Sequence, residues 1–104
     1  MILTMAPDSQ TAVRHVLRLS ITPVQAFMGH ATTLKWQVAG QGVRVMGVQL
    51  SSSNASGMCM IESAATTGTR QLIFTCAGMY TFTLTATFSD GARRHKHVRV
   101  LIVR

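Results

Sequence analysis

The segment from Gly78 to Asp90 alternates between two kinds of side chain over most of its length. Aromatic or aliphatic residues occupy every second position, and threonines fill the positions between them. A period of two is the spacing at which successive side chains of a β-strand point to opposite faces of a sheet. We therefore predict a strand with a core face (Tyr80, Phe82, Leu84, Ala86 and Phe88) and a hydroxyl-bearing outer face (Thr81, Thr83, Thr85 and Thr87).

Shorter runs with the same period occur along most of the chain. We predict further strands at 12–22, 31–38, 43–50, 58–62, 70–76 and 92–104, with turns rich in Gly, Ser and Asp between them. For the first of these, Ser9 could instead cap a helix, but the β-branched residues and Pro23 favour a strand. Residues 23–29 are predicted to form a bend, and 51–57 and 64–68 to form loops.

About seven strands in a short chain indicate an all-β protein, an antiparallel β-sandwich. With 104 residues there is room for one domain, which we place at 12–104 after a flexible N-terminal segment at 1–11. The predicted core consists of Leu34, Trp36, Tyr80, Phe82, Leu84 and Val100, and Leu72, Phe74 and Cys76 are also predicted to point inward.

Four segments resemble those of a known family: Thr22-Pro23 followed by Gly29, Thr33–Val38 around Trp36, Tyr80–Thr87, and Val98–Val103. Together they are similar to the immunoglobulin-like β-sandwich modules of bacterial surface proteins and phage virion proteins. The resemblance covers about residues 16–104. It implies that the Tyr80 hydroxyl is bonded to a nearby backbone group, and that the first and last strands run side by side. It implies little about function, because this fold carries many unrelated roles.

The charge balance is strongly basic, with ten Lys and Arg against three acids and a formal net charge of +7. Such an excess favours anionic partners. Four closely spaced cations lie on the last strand, and the implied neighbouring first strand adds two more. We predict one basic edge formed by Arg14, Arg18, Arg93, Arg94, Lys96 and Arg99. Two interpretations stay open: a binding surface, or a solvated edge that keeps strands of neighbouring molecules apart.

Cys59 and Cys76 are the only cysteines in the sequence. They form either a disulfide, which would stabilise the fold by roughly 3 kcal/mol, or two reduced thiols. His95 and His97 share a strand face, and His15 is a conceivable third ligand, but no acid lies nearby to orient them. We therefore expect no metal site and no cofactor.

No catalytic pattern emerges, since three acids supply little general acid–base chemistry and no Ser, His and Asp combine into a triad. We expect a non-enzymatic binding or structural module on a virion or bacterial cell surface, docking onto another protein, a second copy or an anionic polymer. The alternative is a small basic cytoplasmic protein with a nucleic-acid or regulatory role, in line with the charge and with the lack of a secretion leader. No apolar run reaches the ~18–20 residues of a membrane span.

Overall fold

The computed structural model describes residues 12–54 and 57–104, with the side chains of 57–61 left out. The predicted flexible segment at 1–11 lies outside this part. The described chain forms eight strands: β1 (Arg14–Thr22), β2 (Gln25–Phe27), β3 (Ala31–Gln41), β4 (Val45–Asn54), β5 (Gly57–Ser63), β6 (Thr67–Ile73), β7 (Gly78–Phe88) and β8 (Arg93–Val103).

The strands form a β-sandwich of two sheets. One sheet has the order β1–β3–β6 and the other has the order β2–β8–β7–β4–β5. Neighbouring strands are antiparallel, except that β2 runs parallel to β8. The predicted all-β, immunoglobulin-like sandwich is therefore confirmed, with eight strands in place of about seven.

Several segments differ from their predicted state. The predicted bend at 23–29 contains the short strand β2, whose residues 25–27 pair with 101–103. The predicted loop at 51–57 is largely sheet, because β4 continues to Asn54 and β5 starts at Gly57. The β4–β7 register shifts between Val45 and Gly47, which moves the apolar residues of β4 onto one face and leaves Met46 exposed.

The core lies between the two sheets, and all six core residues predicted for it are buried. All five residues of the core face predicted for β7 are buried, which confirms the alternation from which the fold was predicted. Two polar side-chain groups of the core donate hydrogen bonds to backbone carbonyl oxygens. Trp36 Nε1 donates to Ala65 O at 2.9 Å, and the Tyr80 hydroxyl donates to Cys76 O at 2.9 Å, as the family resemblance implies.

The prediction that Cys76 points inward is wrong. β6 ends at Ile73, so Cys76 lies in the connection to β7, where its side chain is exposed. Leu72 and Phe74 do pack against the core. No helix in the described residues has the length and apolar character needed to cross a membrane.

Candidate functional site

Strand β8 carries four of the ten Lys and Arg residues of the chain, more than any other strand. It pairs with β7 so that Thr81, Thr83, Thr85 and Thr87 stand opposite Arg99, His97, His95 and Arg93. These positions lie on the outer face of the five-stranded sheet, because the residues between them on β7 are buried. Arg93 and Arg99 thus flank two histidines on an exposed, polar face.

The two histidines are oriented by the threonine row. His97 Nδ1 lies 2.9 Å from Thr83 Oγ1, and His95 Nδ1 lies 3.1 Å from Thr85 Oγ1. Each ring therefore uses one nitrogen within the sheet and leaves Nε2 on the outer side. Within the described residues no group of three His, Cys, Asp or Glu could hold a metal ion. The absence of a metal and of a cofactor stays a prediction.

Arg94 and Lys96 lie on the other side of β8. They stand in register with the buried residues Ala86 and Leu84, yet both are exposed. Their stems therefore leave β8 on its core side and carry the charges out to solvent along the side of the sandwich where β1 also lies. We call Arg93, Arg94, Lys96 and Arg99 the β8 basic strip.

The predicted basic edge also includes Arg14 and Arg18, which belong to the other sheet. β1 and β8 are close together, but β1 pairs with β3, and in the described chain no ladder joins it to β8. The expectation that the first and last strands are sheet neighbours is therefore wrong. Because Leu19 and Ile21 are buried, Arg14 and Arg18 point to the outer face of the three-stranded sheet.

A depression of about 280 Å³ lies on that outer face, and we call it the polar depression because six of its eight lining residues have polar side chains. It is lined by Arg18, Ser20, Lys35, Trp36, Gln37, Thr67, Gly68 and Thr69. Of these residues, only Arg18 belongs to a predicted site. The period of two places Lys35 and Gln37 on an outer face, but only the pairing of three strands brings them beside Arg18, Thr67 and Thr69.

The two acids of the described residues contact basic side chains of the opposite sheet. Asp90, in the turn between β7 and β8, accepts from His15 of β1, with Oδ2 and Nε2 2.9 Å apart. The His15 ring also packs edge-on against Phe88, with centroids 4.5 Å apart. On the other side of the sandwich, Glu62 of β5 pairs with Arg70 of β6. In the described chain, therefore, no carboxylate neutralises the β8 basic strip.

The turn at Asp90 favours its ionised form. The backbone N–H of Ala92 donates to Asp90 Oδ1 at 3.0 Å, and His15 binds Oδ2. The backbone hydrogen bond has the larger effect and the bond from His15 adds to it, and together they hold the pKa of Asp90 below its ordinary value.

Cys76 is an exposed free thiol. The sequence left open a disulfide with Cys59 or two reduced thiols, and the structure shows the Cys76 thiol as free. The side chain of Cys59 belongs to the stretch 57–61, outside the described side chains.

No protein-family model matches the chain. No curated protein matches its sequence. Among solved structures, it is similar to the PmoD soluble domain from Methylocystis sp. ATCC 49242 (Rockwell), with a TM-score of 0.61 and 10% identity over 83% of this chain and 90% of that one.

Two further similar structures have different roles. The superoxide reductase neelaredoxin from Ignicoccus hospitalis gives a TM-score of 0.62 at 9% identity, covering 86% of this chain and 82% of that one. The fibronectin(III)-like modules of CbhA from Clostridium thermocellum give 0.57 at 11% identity, covering 86% of this chain and 100% of that one. At such identities the likeness concerns the fold alone. The chain is thus a small β-sandwich domain whose architecture is shared with fibronectin III-like modules.

Proposed function

We propose that the chain is a non-enzymatic binding module that docks onto a linear anionic polymer through the β8 basic strip. The observation that carries the proposal is four exposed cations along one strand without a carboxylate of the described residues against them. Arg93 and Arg99 are about 20 Å apart along the strand, at about 3.4 Å per residue. An array of this length suits a row of charges better than a single small ion.

The polymer is expected to be recognised by its charge. Trp36 and Tyr80 are buried, and the exposed ring of Phe27 stands beside Val103, four residues beyond the end of the strip. Within the strip itself, therefore, no Trp, Tyr or Phe ring is available to stack on a nucleobase. A nucleic acid would therefore be held through its phosphates, as a sulfated polysaccharide would be through its sulfates, and sequence would matter little. Both polymers would thus be bound through the same chemistry, and the experiment below distinguishes between them.

We further propose that the module acts on a virion or bacterial cell surface. The support is an analogy of fold, since many cell-surface domains are sandwiches of this architecture. A nucleic acid in the cytoplasm is the alternative setting, supported by the net charge of +7. Detection of the chain in purified virions or in the surface fraction of cells would support the first setting, and its recovery only with cytoplasmic nucleic acid would support the second.

The test is the triple variant R94Q/K96Q/R99Q, assayed against heparin and against a single-stranded DNA oligonucleotide. We expect at least a tenfold loss of affinity, because clustered charges act together on an anionic partner. For single-stranded DNA the slope of log K against log salt should become shallower by about 2, at about 0.7 for each lost phosphate contact. Stability should change by about 0.5 kcal/mol or less for each exposed charge.

The matched control is R14Q/R44Q/R104Q, which removes three charges outside the strip. It should bind almost as well as the wild type. An equal loss of affinity in both variants would mean that net charge, and not the strip, attracts the polymer. Unfolding of R94Q/K96Q/R99Q would mean that the stems of these residues hold the domain together. Breakdown of either polymer by the purified chain would overturn the non-enzymatic part of the proposal.

A further inference from the structure

The polar depression on the three-stranded sheet is formed by two cross-strand rows of outward side chains. One row consists of Arg18, Gln37 and Thr67, and the other of Ser20, Lys35 and Thr69. The row between them is Leu19, Trp36 and Gly68, whose first two side chains are buried in the core. This middle row therefore presents peptide backbone to the outside and leaves a depression between the two polar rows.

The two cations of the depression lie diagonally across the β1–β3 pair. Arg18 stands opposite Gln37, and Lys35 is two residues away along β3. Diagonal neighbours of an antiparallel pair are about 7–8 Å apart, a distance that both long side chains can close from opposite sides of one small group. Both are exposed, and neither forms a hydrogen bond or ion pair with any residue of the described chain.

The rest of the lining supplies neutral hydrogen-bonding groups. The hydroxyls of Ser20 and Thr69 and the amide of Gln37 are without a partner in the described residues. Thr67 Oγ1 makes only a long bond of 3.4 Å to Trp36 O, which a ligand can replace. Hydroxyls and an amide between two cations are the groups that surround a bound oxyanion.

Other ligand classes fit less well. The lining contains no carboxylate, and two positive charges repel a cation. The indole of Trp36 is only 8% exposed, so a neutral sugar ring or a nucleobase has no aromatic surface to stack on. The remaining class is a compact anion with several acceptor oxygens.

We propose that this depression binds a tetrahedral oxyanion, the sulfate or phosphate group of a monoester. The Arg18 guanidinium binds two of its oxygens, the Lys35 ammonium binds a third, and Thr69 and Ser20 donate their hydroxyl protons. This site is separate from the β8 basic strip, because it lies on the other sheet, and it does not depend on the proposed polymer binding.

The experiment is a titration of the ¹⁵N-labelled chain with sodium sulfate and with sodium phosphate, compared with sodium chloride at equal ionic strength. We expect saturable shifts of the amide signals of Ser20, Gln37, Thr67 and Thr69 with sulfate, phosphate or both, and none of that size with chloride. R18Q/K35Q should weaken this binding at least tenfold. R44Q/R104Q removes the same charge elsewhere and should leave it unchanged.

The two ions also distinguish the source of the group. Sulfate keeps its charge between pH 5.5 and 8, whereas phosphate gains negative charge over this range. If phosphate binds more tightly than sulfate at pH 8, the group recognised is that of a phosphate monoester. If sulfate binds more tightly, it is that of a sulfate monoester. Shifts that rise linearly without saturation, that chloride reproduces, or that persist in R18Q/K35Q would overturn the proposal. If R18Q/K35Q fails to fold, the comparison of sulfate and phosphate with chloride in the wild type still tests the proposal.

Discussion

Trp36 and Gly68 face each other across β3 and β6 with no space for a methyl group between them. A Cβ atom on Gly68 would be 2.4 Å from Cζ2 and 2.7 Å from Cη2 of the indole. The ring cannot simply move aside, because its Nε1 is bonded to Ala65 O. The glycine is therefore required by the close approach of a ring, and the same contact holds the core tryptophan beneath the polar depression.

Gly68→Ala is expected to destabilise the domain by about 1–3 kcal/mol, because the added methyl overpacks a fixed ring. Urea unfolding followed by the fluorescence of the single Trp measures this directly. The control is Gly47→Ala on β4, where a Cβ would meet nothing within 4 Å and the change should stay within about 0.5 kcal/mol. Equal losses would show that strand flexibility, and not the ring contact, requires Gly68.

At Asp90, the lowered pKa connects stability to pH. The folded state holds the proton less tightly than the unfolded state, so the stabilisation is complete above the ordinary carboxyl pKa of about 3.9. It is lost as the pH falls through the lowered folded pKa. Asp90→Asn should therefore lower the melting temperature at pH 7, and the difference from wild type should shrink below about pH 4. A difference that stays constant from pH 2 to pH 7 would assign no stabilisation to the charge.

At the scale of elements, the strands that the sequence predicted are those with a long alternating pattern. β7 shows it over nine of its eleven residues, and the buried and outward positions of these nine are as predicted. β2 has only three residues, too few to show a period, and its partner lies far along the chain at 101–103. The polar depression was also not predicted, because it exists only where the strand register brings together Arg18, Lys35 and Thr69 from three strands.

The attachment of β2 depends on Ala26, which is buried and pairs with Ile102. Ala26→Asp would place a charge without a partner in the core, at a cost of several kcal/mol. Its neighbour Gln25 is exposed on the same strand, so Gln25→Asp adds the same charge at a cost of about 0.5 kcal/mol or less. Thermal unfolding of both variants tests this. A similar melting temperature for the two would show that β2 is not held through its buried face.

At the scale of the whole molecule, the two described acids serve to join the sheets, one at each side of the sandwich. Both outer faces consequently keep positive charge: Arg93 and Arg99 of the β8 basic strip on one sheet, and Arg18 with Lys35 on the other. Composition predicted the excess charge, but which cations share a face depends on the division of β1 and β8 between two sheets.

The edge of β8 has a consequence for how copies of the chain behave in concentrated solution. On the side away from β7, the described chain pairs β8 only at 101–103, through β2. In the described chain the backbone before that has no sheet partner on this side, although β1 of the other sheet lies close to it. An unpaired edge can pair with a strand of another molecule, and Arg94 and Lys96 stand beside this one. Each further copy that paired at this edge would bring like charges together. We therefore expect these cations to form an electrostatic barrier against fibril growth.

Salt should lower this barrier, since the screening length falls from about 10 Å at 0.1 M to about 3 Å at 1 M. We expect R94Q/K96Q/R99Q at low salt, and the wild type at 1 M sodium chloride, to grow β-rich fibrils that light scattering and a fibril dye detect. R14Q/R44Q/R104Q at low salt should stay dispersed, and equal growth of this variant would disprove an edge effect. A polyanion bound to the β8 basic strip would neutralise the same charges and lower the barrier as salt does. Binding of the chain to a polymer would therefore also promote strand pairing between neighbouring copies on that polymer.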